Sequence, residues 1–237
     1  MPATNRQRLR ISFSWMSLIL LSACSASSSV ERRSAVVPSQ AAHLAAQHDL
    51  VDIRRFIPDV AVDLRYTSSD NSTHRRLYPA NMPCLLRTRT AMKLAAAQAW
   101  LRDYGYSLRV WDAWRPPEVQ LMLRELAEHP DLFLDPSSDW SRHCSGTAVD
   151  VTLTDPEGNE QPLPTYHDEL TPHTSYHYQG SDRRIAQNLW LLQTAMTQAG
   201  FQMIETEWWH FDDSFYAQHP APIIFGHQLG ISLPAPD

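Results

Sequence analysis

The stretch SRHCSGTAVDVTL, Ser141–Leu153, decides how this chain is read. Its second half, from Gly146 onward, reads as a strand. Its first half sets His143 seven positions before Asp150, with Gly146 between them at the strand's mouth. A histidine and an aspartate at this spacing are usually structural. They become two thirds of a metal site only if a third ligand lies elsewhere in the chain.

Working outward from that strand, VAVDLRYTSSDN (60–71) alternates and reads as extended. Residues 86–104 read as a helix, because Ala91, Leu94, Ala95, Gln98 and Leu101 recur at helical spacing and Gly105 stands at the C-terminal cap. SLRVWDAW (107–114) reads as a strand stopped by Arg115-Pro116-Pro117, whose prolines suit the first turn of a helix over 118–128. Ser181 or Asp182 can cap a helix running to Ala199 and ended by Gly200, and FQMIETEWWHF (201–211) reads as a further strand. Helices and strands mix without a βαβ rhythm. The expected class is α+β, with a mostly antiparallel central sheet and flanking helices.

The chain has 237 residues, 43% of them hydrophobic, enough for one sizeable core. Its formal net charge is -6, and no basic patch is visible, which argues against nucleic acid as a partner. Arg6, Arg8 and Arg10 precede the short apolar run ISFSWMSLILLSAC, the pattern of a secretory signal over residues 1–23. Leu21-Ser22-Ala23-Cys24 resembles a bacterial lipobox, so lipid on Cys24 would tether the protein to a membrane in the periplasm or cell envelope. The alternative is an ordinary signal peptide cut nearby, with Cys24 incidental. Residues 24–49 read as a tether and 50–237 as the folded domain. Cys84 and Cys144 remain, in an oxidising compartment, and a disulfide between them is left open.

The third ligand is found in Glu207-Trp208-Trp209-His210. Positions three apart on a regular strand face opposite ways, so a bulge or turn must re-aim one of them. Zinc hydrolysis needs three protein ligands, an open position for water, a nearby carboxylate, and a donor for the developing oxyanion. His143, Asp150 and His210 meet the first need, Glu207 the carboxylate, and Arg115 is the candidate donor.

These residues carry a resemblance. SRHCSGTAVDVTL resembles the Ser-His-Asp metal motif of the D-alanyl-D-alanine dipeptidases, ETEWWHF their Glu-x-x-His element, and VWDAWRP their Asp-Gly-Tyr-Arg-Pro element. With VDLRYTSSDN (62–71) the similarity covers most of the domain. It implies a fold shared with zinc D-Ala-D-Ala carboxypeptidases and hedgehog, and one zinc per chain on His143, Asp150 and His210. It further implies Glu207 as general base and acid, Arg115 as stabiliser of the tetrahedral intermediate, and a small D-amino-acid dipeptide as substrate. Asp168 falls where the family binds the dipeptide's ammonium, Ser141 where a serine lines the pocket, and Tyr66 and Tyr78 near the site. The sequence departs from the pattern at Pro164 (glycine expected) and His167 (phenylalanine expected), and at Arg142 and Cys144, where small polar residues are expected.

Other readings stay beside this one. Trp208 and Trp209 read as core, and the histidines His167, His173 and His177 as a polar loop over the pocket rather than a second metal site. The function could be trimming of peptidoglycan stem peptides as a carboxypeptidase or endopeptidase, or zinc-stabilised binding without catalysis.

Overall fold

The computed structural model describes residues 40–234. The signal segment, the lipobox with Cys24 and the tether up to residue 39 lie outside the described residues. In chain order the elements are α1 (Gln40–Gln47), β1 (Leu50–Asp52), α2 (Ile53–Phe56), β2 (Ala61–Val62), β3 (Leu85–Arg87), α3 (Thr88–Asp103), β4 (Ser107–Asp112), α4 (Pro117–Leu126), β5 (Ala148–Thr154), α5 (Arg183–Gln198), β6 (Phe201–Met203) and β7 (His210–Asp213). The expected tether therefore ends earlier than residue 49. Its alanine- and glutamine-rich end forms α1, which buries Ala45 and packs on a 3-10 turn at Gly226–Leu229.

The central sheet runs β2-β4-β5-β7-β6, and β1 pairs with β3 in a separate two-stranded ladder. The α+β class stands, but the sheet is mixed: β2 runs parallel to β4, while β4, β5, β7 and β6 pair antiparallel. The connection from β2 to β4 is long enough to carry β3 and α3, which lets the chain return in the same direction. Pattern along β5 divides its residues. Val149, Val151 and Leu153 enter the hydrophobic core, and alternation turns Asp150 and Thr152 to the opposite face.

The helices form where their caps and apolar positions put them. Asp182 accepts hydrogen bonds from the Arg184 and Ile185 amides at the start of α5, a cap worth about 1 kcal/mol. Gly200, in the left-handed region, follows its end. Leu189, Leu192, Ala195 and Met196 form its buried stripe. Helix α3 starts at Thr88 rather than Leu86, because Leu86 and Arg87 are taken up in the ladder with Val51 and Leu50. The expected single strand over 201–211 is two strands, β6 and β7, joined by a loop from Ile204 to Trp209. Trp208 and Trp209 are nonetheless fully buried core residues. Cys84 and Cys144 are buried free thiols.

Gly146 is the hinge of the Ser141–Leu153 stretch. It has φ +72°, and an added Cβ would sit 2.7 Å from Leu50 Cδ2 and 3.4 Å from the Arg87 nitrogen. Its carbonyl accepts a hydrogen bond from the Arg87 amide. A left-handed residue with a Cβ costs roughly 1–2 kcal/mol, so Gly146→Ala should lower unfolding stability by at least about 1 kcal/mol in a urea titration. A change below about 0.5 kcal/mol would contradict this account of the turn.

Candidate metal centre

Sheet register assembles the site. Asp150 pairs directly with His210 across β5 and β7, and with Asp112 across β5 and β4. Directly paired residues share a face, so the three side chains form one row across the sheet. The β4–β5 ladder shifts register between Val110 and Asp112, a bulge that takes up Trp111 and brings Asp112 into the row. His143 comes from a 3-10 turn, Arg142–Ser145, whose first amides are capped by Ser141: its Oγ accepts from the His143 nitrogen at 3.3 Å. Gly146 then turns the chain into β5.

Three donor atoms converge there. His143 Nε2 lies 3.2 Å from Asp150 Oδ1 and 3.1 Å from His210 Nδ1, which is 3.0 Å from the same Asp150 oxygen. All three residues are buried. The far nitrogen of each imidazole is committed elsewhere. His143 Nδ1 sits 2.6 Å from the Ala113 carbonyl oxygen, which can only accept, so the proton belongs on Nδ1 and Nε2 offers a lone pair. His210 Nε2 sits 3.0 Å from Asp212 Oδ1, which likewise leaves Nδ1 as the lone-pair atom. Two lone pairs and a carboxylate oxygen packed this closely in a buried site repel one another unless a positive charge lies between them. A tetrahedral ion with bonds of roughly 2.0–2.1 Å spaces its donors by roughly 3.3 Å, close to the edges seen. The residues fit a metal ion.

The electrostatics agree. Burial opposes charge on His210, but Asp212 and Asp150 outweigh it and hold the imidazole's pKa well above its usual value. Burial likewise opposes the Asp150 carboxylate, yet His143, His167 and His210 keep its pKa well below the usual range. This point in the protein favours a cation, whether a proton or a metal. Glu207, in the β6–β7 loop, is buried with Oε2 3.9 Å from His210 Nδ1. Burial pushes its carboxyl up to about 7, with His210 pulling the other way. The three-residue spacing to His210 poses no obstacle, because Glu207 is not on a strand at all.

The surrounding cavity, of about 530 Å³, is lined by Arg115, Ser141, His143, Asp168, Glu207 and His210 among others. Arg115 is buried and oriented. Its Nε donates to Asp112 Oδ2 at 2.8 Å and its Nη1 to Gln120 Oε1 at 2.8 Å, leaving Nη2 3.7 Å from Asp150 Oδ2. Asp168 is buried at φ +59°, and its Oδ2 accepts from the Tyr66 hydroxyl at 2.8 Å and the Ser72 hydroxyl at 3.3 Å. Tyr78 donates to Asp112 Oδ1 at 2.8 Å. Both tyrosines expected near the site thus touch its acids. Arg142 lines the cavity, whereas Cys144 is buried away from it.

Sequence reasoning missed three contributors. Asp112 orients Arg115, Asp212 orients His210, and His167 reaches Asp150 Oδ2 at 3.2 Å. Asp212, two residues after a ligand on a strand, could have been found by its period-2 position. Asp112 heads the VWDAWRP match, three positions before Arg115, but its place in the row depends on a bulge, and that of His167 on a long irregular segment, which no local periodicity discloses. The sequence places His167 in a polar loop over the pocket; in the fold it is a buried ring within the site. His173 and His177 do not join the donor group found among the described residues.

Residues 46–223 match the profile of the family described as D-Ala-D-Ala dipeptidase, peptidase family M15. The chain is 32% identical over 172 residues to the D-alanyl-D-alanine dipeptidase of Escherichia coli K12, covering 73% of this chain and 88% of that relative. Identity to the D-alanyl-D-alanine dipeptidase of Enterococcus faecium is 25% over 168 residues, covering 63% of this chain and 83% of the relative. For that of Enterococcus faecalis V583 it is 27% over 171 residues, with the same coverage, 63% and 83%.

Proposed function

The chain belongs to the D-Ala-D-Ala dipeptidase family of metallopeptidases, and on that footing we propose that it hydrolyses D-Ala-D-Ala or a closely related cell-wall-derived dipeptide with one zinc ion. The observation that carries this reading is the convergence of His143 Nε2, Asp150 Oδ1 and His210 Nδ1, with the Glu207 carboxyl beside them. Two imidazoles and a carboxylate suit zinc, which keeps a fourth position free in its catalytic sites. Bound there, zinc would polarise the scissile carbonyl and lower the pKa of a water toward about 7.

The protein's own groups do the rest. Glu207 takes the proton of the attacking water and returns it to the leaving amine; a carboxyl raised by burial is suited to both tasks near neutral pH. Arg115, held by Asp112 and Gln120, presents its charge to the carbonyl oxygen as negative charge builds there. Asp168 pairs with the free ammonium of the dipeptide, and Ser141 lines the pocket near the first histidine. A buried carboxylate at the cavity wall matches a free amine, which favours dipeptides over longer stem peptides. A binding module without catalysis has no use for Glu207 next to the donor triangle.

We also propose that lipid on Cys24 tethers the enzyme in the cell envelope. The support is the Leu21–Cys24 pattern. Cys24→Ala should abolish labelling of the full chain by palmitate in cells and move it out of the membrane fraction. Persistent labelling contradicts the anchor.

Glu207→Ala should retain stoichiometric zinc and lower kcat on D-Ala-D-Ala by at least about 10²-fold, read by amine release in a steady-state assay. Turnover near that of the parent protein would remove Glu207 from the mechanism.

A further inference from the structure

His167 stands where the family resemblance leads one to expect phenylalanine, and its surroundings give the change a role. The ring is buried among three aromatic side chains, with centroids 5.8 Å from Tyr66, 5.4 Å from Trp111 and 5.6 Å from Trp209. Phenylalanine would fill the same box. It would not supply the nitrogen that lies 3.2 Å from Asp150 Oδ2. The opposite ring nitrogen, Nδ1, is buried without a hydrogen bond and faces Asp168 Oδ2 at 3.5 Å.

The two oxygens of Asp150 therefore have separate partners. Oδ1 meets His143 and His210 in the donor triangle, while Oδ2 is turned to His167. Arg115 Nη2, at 3.7 Å, is too far from Oδ2 to hold it by a hydrogen bond. A ligating carboxylate whose second oxygen is unheld can bring both oxygens onto a metal and use up the position that a catalytic site keeps open. Partners behind the ligands prevent this by fixing their orientation.

We propose that His167 is a positioning residue: it holds Asp150 to a single donor oxygen and spaces the metal site from Asp168, the carboxylate read above as the ammonium anchor. The proposal rests on the zinc dipeptidase reading of this site. It makes the metal end and the amine end of the cavity share one side chain, so that a change at position 167 acts on both.

The test compares His167→Phe and His167→Gln with the parent protein. Zinc affinity is measured by competition with a chromophoric chelator, folding by thermal unfolding, and KM and kcat on D-Ala-D-Ala at saturating zinc. His167→Phe should fold but bind zinc roughly 10–100-fold more weakly, the usual cost of losing an outer partner of a ligand. Its KM should rise by more than its kcat falls, because Asp168 loses the ring nitrogen that faces its Oδ2. His167→Gln places an amide N–H near the Nε2 position and should recover most of the zinc affinity. If the Phe variant does not fold, His167→Leu provides the same comparison. Zinc affinity of the Phe or Leu variant within about twofold of the parent, or a Gln variant no better than Phe, overturns the role given to His167. A parent protein that binds no zinc and hydrolyses no dipeptide overturns the reading of the site itself, and that result is visible before any variant is made.

Discussion

The register that sets Asp150 opposite His210 is the constraint on which the rest depends. In an antiparallel ladder a slip of one residue would send one of these side chains to the far face of the sheet. The donor triangle would then be lost without any change in composition. Several features hold that register. Val149, Val151 and Leu153 lock the other face of β5 into the core, and β4 and β7 flank the strand on both edges. Gly146 turns the chain so that His143, from outside the sheet, meets the same row.

The site concentrates buried acids: Asp112, Asp150, Asp168 and Glu207 all lie in or beside one cavity. Unpaired, each would be costly to bury. The arrangement interleaves them with bases. Arg115 stands between Asp112 and Asp150, His167 between Asp150 and Asp168, and His210 between Asp150 and Asp212. What this pattern leaves over is a point ringed by two imidazole lone pairs and a carboxylate oxygen, which favours a cation. Function and folding are coupled through the same charges, because a metal that binds only the folded chain stabilises it by mass action.

Much of this was legible in the sequence because it is local. The cap at Asp182, the stops at Gly105 and Gly200, and the spacing of His143 and Asp150 around a glycine each need only a few neighbouring residues to be read. His210 is offered as third ligand by its chemistry and then by resemblance to a family, but the long-range strand register that sets it opposite Asp150 is not legible in the sequence. Other features escaped because they depend on how distant segments meet. The Trp111 bulge that aims Asp112, the break between β6 and β7 that frees Glu207 from strand geometry, and the parallel pairing of β2 leave no mark in local periodicity. His167 is the clearest case. Its neighbours in sequence suggest a polar loop, and only the fold encloses its ring among Tyr66, Trp111 and Trp209.

The most direct test is a crystal structure of the protein with zinc, phased or checked by anomalous scattering on both sides of the zinc absorption edge. The account predicts one strong anomalous peak per chain, at roughly 2.0–2.2 Å from His143 Nε2, Asp150 Oδ1 and His210 Nδ1. A peak bound by other side chains, or fully active protein with no metal at this triangle, would contradict it.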